Sequence, residues 1–167
     1  MKTTSKVSTS IMAIVVTGLL ALSGSTTARA QTIRAFNATT NQFTLVSEVC
    51  TGTVCDLVFE GNGTVNIMGP VTVTVHVAQD FSGYPCQPAP NESTFVGATG
   101  SITVADTCGT VCLNATNSNL PATIQGAWNV TGGTGEFNGI VGGGSDQGTI
   151  NPQGHGPHVH LTGVVVY

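Results

Sequence analysis

Cations are nearly absent from this chain. Lysine and arginine together number four in 167 residues, and three of them (Lys2, Lys6 and Arg29) fall within the first thirty. Beyond Ala30, Arg34 stands against eight carboxylates: Glu48, Asp56, Glu60, Asp80, Glu92, Asp106, Glu136 and Asp146, a formal balance of −7. A nucleic-acid binder must neutralise several phosphates with basic side chains, so that class is excluded. Anionic membrane surfaces and phosphorylated ligands are disfavoured for the same reason. Helical patterning is also missing. No window beyond residue 30 sustains an i, i+3, i+4 apolar face, and strong helix formers are scarce.

A long apolar run is lacking as well. Ile11 to Leu22 is too short to cross a bilayer as a helix, and no second such segment follows, which excludes a helical membrane anchor. With Lys2 and Lys6 before it and Ala28-Arg29-Ala30 after it, the run reads as a signal peptide over residues 1–30. Ser25 stands where a lipoprotein signal requires cysteine, so lipid anchoring is not expected. Residues 31–167 are then one secreted domain, extracellular or periplasmic, of a size that buries a single core.

What is present is β-type sequence. Val71 to Ala78 alternates, with Val71, Val73, Val75 and Val77 on one face, as a strand with one face on a core requires. Strands are also expected over Gln42–Val49, Cys55–Phe59, Thr64–Met68, Thr94–Ala105 with a break at Gly100, Ala122–Val130, Phe137–Gly142 and His158–Tyr167. The pattern predicts an all-β fold: a single antiparallel barrel of about eight strands, with a two-sheet sandwich as the alternative. The Val71–Val77 face lines its interior. An outer-membrane barrel is disfavoured by short strands, five cysteines and too few aromatics for two girdles.

The five cysteines are Cys50, Cys55, Cys86, Cys108 and Cys112. In an oxidising compartment they form bridges, and two bridges among five cysteines allow fifteen arrangements. Cys50–Cys55 and Cys108–Cys112 each bracket a Gly-containing turn, so proximity predicts these two and leaves Cys86 free.

Val130 to Ile150 is crowded with glycine around the turn Gly132-Gly133-Thr134-Gly135 and the single aromatic Phe137, which is expected to anchor that turn in the core. The stretch VTGGTGEFNGIVG resembles a motif of the allene oxide cyclase/dirigent-like barrels, in their secreted bacterial form, where a GGTG or GGSG turn followed by a residue and Phe joins adjacent strands. The likeness spans Ile124 to Ile150. It implies an eight-stranded barrel and transfers no active site, since no position matches the catalytic carboxylates or arginines of either family.

Three constellations bear on chemistry. His158 and His160 sit at i, i+2 on a strand and project from one face, with His155 just before them, a set able to bind zinc or copper. The chain offers no fourth ligand nearby, and no bound cofactor is expected. Glu136 and Asp146 flank one hairpin, where two carboxylates could pair as in glycoside hydrolysis, but their spacing is not defined by the sequence and turn carboxylates are usually solvated. The glycine-rich segment lacks the helix that a phosphate cradle needs. No G-x-S-x-G elbow exists. The expected role is therefore non-catalytic: binding a small, neutral, apolar molecule inside the barrel, or serving as a structural extracellular module. The alternatives are a cyclase or isomerase of the same fold, and a histidine-based metal binder.

Overall fold

The protein, represented by a computed structural model, is described over residues 31–114, 120–151 and 157–167. The segment expected to be a signal peptide and His155 lie outside the described residues. Gln31–Tyr167 forms one compact unit.

Ten strands follow one another: β1 (Ile33–Thr51), β2 (Val54–Val65), β3 (Gly69–Asp80), β4 (Cys86–Pro88), β5 (Asn91–Gly97), β6 (Gly100–Asp106), β7 (Thr110–Cys112), β8 (Ala122–Gly133), β9 (Val141–Ile150) and β10 (His158–Val166). Every pairing is antiparallel. The order β8-β6-β5-β3-β2-β1-β10-β9 closes on itself through β8 and β9, giving an eight-stranded barrel. Strands β4 and β7 lie outside the ring. β7 pairs with the first residues of β8, where β6 no longer reaches, and β4 pairs with β7.

The two ends of the barrel differ. One end is filled. There the turns β2–β3 and β5–β6 meet a 3-10 turn, Gly135–Phe137, between β8 and β9. Phe36, Ala38, Val65, Val71, Val73, Ile102, Phe137, Ile140 and Val165 pack the interior, each nearly or fully buried. Phe36 stacks on Trp128 at 4.9 Å between ring centroids, and Phe137 meets Tyr167 edge-on at 5.3 Å. Burial of each such side chain contributes roughly 1.5–3 kcal/mol. Phe137 is buried as expected, while Gly132 and Gly133 end β8 and the turn itself begins at Thr134. Gly135 there has φ 61°, and a Cβ on it would run into the Thr99 carbonyl, so glycine is required twice over.

Several expected strands shift. Phe137 lies on the 3-10 turn, and the glycine-rich strand begins at Val141. Thr64–Met68 is the end of β2 followed by a turn. Asn66 makes that turn: its Oδ1 accepts from the Asn37 N–H and its Nδ2 donates to the Ala35 carbonyl, both at 2.9 Å. These bonds tie the turn to β1 and satisfy backbone groups there that would otherwise lack a partner.

The cysteine pairing is half as expected. Cys50–Cys55 forms across the β1–β2 hairpin. Cys108–Cys112 does not: Cys112 bonds Cys86, and Cys108 is free and exposed. The register explains the correction. Cys86 and Cys112 are direct cross-strand partners in β4 and β7, with Cα atoms 4.0 Å apart. Cys108 is held in the preceding turn, its N–H donating to Asp106 Oδ1 at 2.8 Å.

Candidate functional site

The other end of the barrel is not filled. Above the Trp128 and Phe95 rings lies a cavity of about 130 Å³, open on one side. Its wall is mostly apolar: Phe43, Phe59, Val75, Val77, Val104 and Leu161 come from the ring strands, and Val111 and Ala89 from the β4–β7 flap. The flap adds a small apolar cluster of its own, Ala89, Val111 and Ala122, at the rim. It is tied down by the Cys86–Cys112 bridge and by the Ala89 N–H to Gly109 carbonyl bond, 2.7 Å. The interior face of β3 is thus divided by the fold. Val71 and Val73 belong to the packed end, and Val75 and Val77 line the cavity.

Polar groups are few and almost all satisfied. Gln79 Nε2 donates to Gln87 Oε1 at 2.6 Å, and both residues are buried. Thr40 Oγ1 donates to the Val159 carbonyl and accepts from its N–H, both at 3.2 Å. The Trp128 indole N–H reaches the Ser145 carbonyl at 3.1 Å.

Two carboxyl groups are the exception. Asp106 is 3% exposed and Asp146 8%, and both line the cavity. Asp106 ends β6 opposite Trp128 of β8, and Asp146 sits in β9 opposite Gly126 of β8. They approach each other across β8 because Gly126 has no side chain. A Cβ there would fall on the Asp106 carboxyl group and lie 2.8 Å from Asp146 Oδ1. Asp106 Oδ1 is engaged by Cys108, whereas Asp106 Oδ2 and Asp146 Oδ1 have no donor. Two ionised carboxylates offer each other only acceptors. A proton held between them gives both oxygens a partner. Burial, reinforced by the charge of Asp106 and by the hydrogen bond between the two groups, pushes the Asp146 pKa up to about 6.

The Glu136–Asp146 pair that one hairpin offered is not formed. Glu136 is exposed on the 3-10 turn at the packed end, while Asp146 faces the cavity at the opposite end. The partner of Asp146 is Asp106, which sequence reasoning did not single out. One signal for it existed. Ile102, Val104 and Asp106 alternate, which places the carboxylate on the same inward face as two core residues.

Of the three histidines, His158 and His160 are brought together on the outer face of β10, alternating with the inward Val159 and Leu161. His158 Nδ1 lies 2.8 Å from Asn41 Oδ1, and His160 Nδ1 lies 3.1 Å from Thr39 Oγ1. Among the described residues one group clusters three potential metal-ligand atoms, Glu48, Cys50 and Cys55, and its two sulfurs are spent in the disulfide. Also among the described residues, no helix is long and apolar enough to cross a membrane.

No family model, curated protein or solved structure matches this chain.

Proposed function

We propose that this chain is a secreted barrel that binds one small, mainly apolar molecule in the open end, with Asp106 and Asp146 engaging its polar group. The observation that carries this reading is the pair of donor-less carboxyl oxygens set in an otherwise apolar cavity. A barrel that served only as a structural module would gain by filling this space, as the other end does, because voids forfeit dispersion contacts and buried unpartnered polar groups are costly. The volume suits a single ring with a short substituent; cavities near 150 Å³ hold benzene. Secretion is supported by the basic start and apolar run of residues 1–30, and by two disulfides. Membership of the allene oxide cyclase/dirigent-like barrels is supported by the VTGGTGEFNGIVG stretch together with the eight-stranded ring.

A second reading, an isomerase or cyclase of the same barrel, is favoured by one observation. A carboxyl group with its pKa near 6 inside a mainly apolar cavity is poised to give or take a proton near neutrality. Confinement of a reactive substrate would supply the rest.

Trp128 is the one tryptophan of the chain and lines the cavity, so its emission reports occupancy. Titration with benzyl alcohol is expected to give a saturable change at one site per chain, abolished by the cavity-filling variant Val75→Phe. A linear, non-saturating response, the same in wild type and variant, would refute binding in the barrel.

A further inference from the structure

Among the described residues, the buried Asp106–Asp146 pair has no cation beside it. A proton shared between the two groups still leaves one negative charge. The described residues lining the cavity include no lysine, arginine or histidine. Arg34, at the start of β1, is exposed at the packed end, and six residues of strand separate it from Thr40 at the cavity wall, about 20 Å. Other titratable groups on the surrounding strands face away. Glu92 of β5 and His76 of β3 are exposed outside the ring, His158 and His160 lie on the outer face of β10, and the free Cys108 thiol is exposed in the turn after β6. β8 contributes Gly126 and Trp128. Buried charge in proteins is ordinarily matched by an opposite charge or by a metal ion. A hard metal ion asks for about six oxygen ligands; beside the pair the cavity wall offers Asn91, the cross-strand partner of Asp106, whose Oδ1 accepts from Ser93, and otherwise Val104, Val111, Ile124 and Trp128.

We propose that the molecule taken by this cavity is a small primary amine in its ammonium form, its N–H groups donating to Asp106 Oδ2 and Asp146 Oδ1 and its apolar body lying against Phe43, Phe59, Phe95 and Trp128. This rests on the reading of the cavity as a binding site and departs from the neutral ligand that the composition suggests. An ammonium carries three donors on a compact centre, enough for both orphaned oxygens. The aromatic wall adds attraction for a cation at its ring faces. Binding is a proton exchange as well. Where the pair still holds its shared proton, the ammonium enters and that proton leaves to solvent. Affinity therefore rises as pH increases through the titration of Asp146 and levels off above it.

The test is calorimetric titration of the full secreted chain with benzylammonium, and with benzyl alcohol and toluene as neutral probes of similar size. At pH 7.5 benzylammonium is expected to bind at least tenfold more tightly than benzyl alcohol. Asp106→Asn/Asp146→Asn, still unfolding cooperatively in urea, is expected to lose that preference. A wild-type series from pH 5 to 7.5, in buffers of different ionisation enthalpy, supplies an arm that needs no variant: rising affinity, with up to one proton released per amine bound at the acid end. Benzyl alcohol or toluene binding as tightly as benzylammonium, or amine affinity flat with pH, overturns the ammonium assignment and leaves the cavity reading standing. Failure of all three probes to bind or to perturb Trp128 overturns both.

Discussion

Asp106 and Asp146 reach each other across a strand that belongs to neither of them. β8 runs between β6 and β9, and Gly126 leaves the gap through which the two carboxyl groups meet. Gly126→Ala places a methyl group in that gap. The expected cost is about 1–3 kcal/mol from overpacking, read by urea unfolding, and the Asp146 titration is expected to move back toward the ordinary carboxyl range. A variant as stable as wild type with an unchanged titration would mean that the pair does not sit over Gly126.

The raised Asp146 pKa fixes the sign of a pH effect. Between the unfolded carboxyl value, near 4, and about 6 the folded chain holds more protons than the unfolded one. This contribution is therefore fully present below about pH 4 and is lost as pH rises through 6. Stability is expected to fall by roughly 2–3 kcal/mol from this source between pH 4 and pH 8. Asp80 acts in the opposite sense at lower pH. The Ser82 N–H holds its carboxylate below the usual range, so its contribution fades only as the solution becomes acid. Asp146→Asn removes the first effect, since its amide donates to Asp106 at any pH. Unfolding curves of the two proteins should nearly coincide at pH 4 and separate at pH 8 with the variant more stable. Equal stability at both values would contradict the shared proton.

The two bridges differ in what they hold. Cys86–Cys112 closes a loop with sequence separation 26, and Cys50–Cys55 one of 5. The chain-entropy model assigns them about 3–4 and about 2 kcal/mol. Cys86→Ser/Cys112→Ser is expected to cost more than Cys50→Ser/Cys55→Ser, and also to weaken probe binding, because it frees the flap that carries Ala89 and Val111. Peptide mapping of the non-reduced protein, with native alkylation, should label Cys108 alone. A Cys108–Cys112 peptide would restore the pairing that proximity in sequence suggests.

Phe137 is 1% exposed and stands between the GGTG turn and Tyr167. Phe137→Ala is expected to cost about 3–5 kcal/mol in urea unfolding while leaving the cavity, at the far end of the barrel, able to bind its probe. Loss of binding at temperatures where the variant is still folded would show that the two ends are coupled.

The barrel was legible in the sequence where alternation is clean. Val71–Val77 names an inward face outright, and the GGTG turn with Phe137 marks one closed end. Boundaries were less legible. The stretch Ile33–Thr40 of β1 carries only Phe36, Ala38 and Thr40 on its buried face, yet it pairs with β10 throughout. Val141–Ile150 has glycine at 142, 143, 144 and 148, so no side-chain period reveals which way Asp146 points. The site was half hidden for that reason. Asp106 could be placed inside by its step from Ile102 and Val104, but its partner could not. The Cys86–Cys112 bridge was illegible because it depends on β4 and β7, two three-residue strands in segments that read as loop.

The most direct test is an NMR titration of the Asp146 side-chain carboxyl carbon in the ligand-free protein. The expected midpoint is near 6, from burial of the group beside Asp106. An Asp146 carboxyl that titrates near 4 would contradict the buried carboxyl pair.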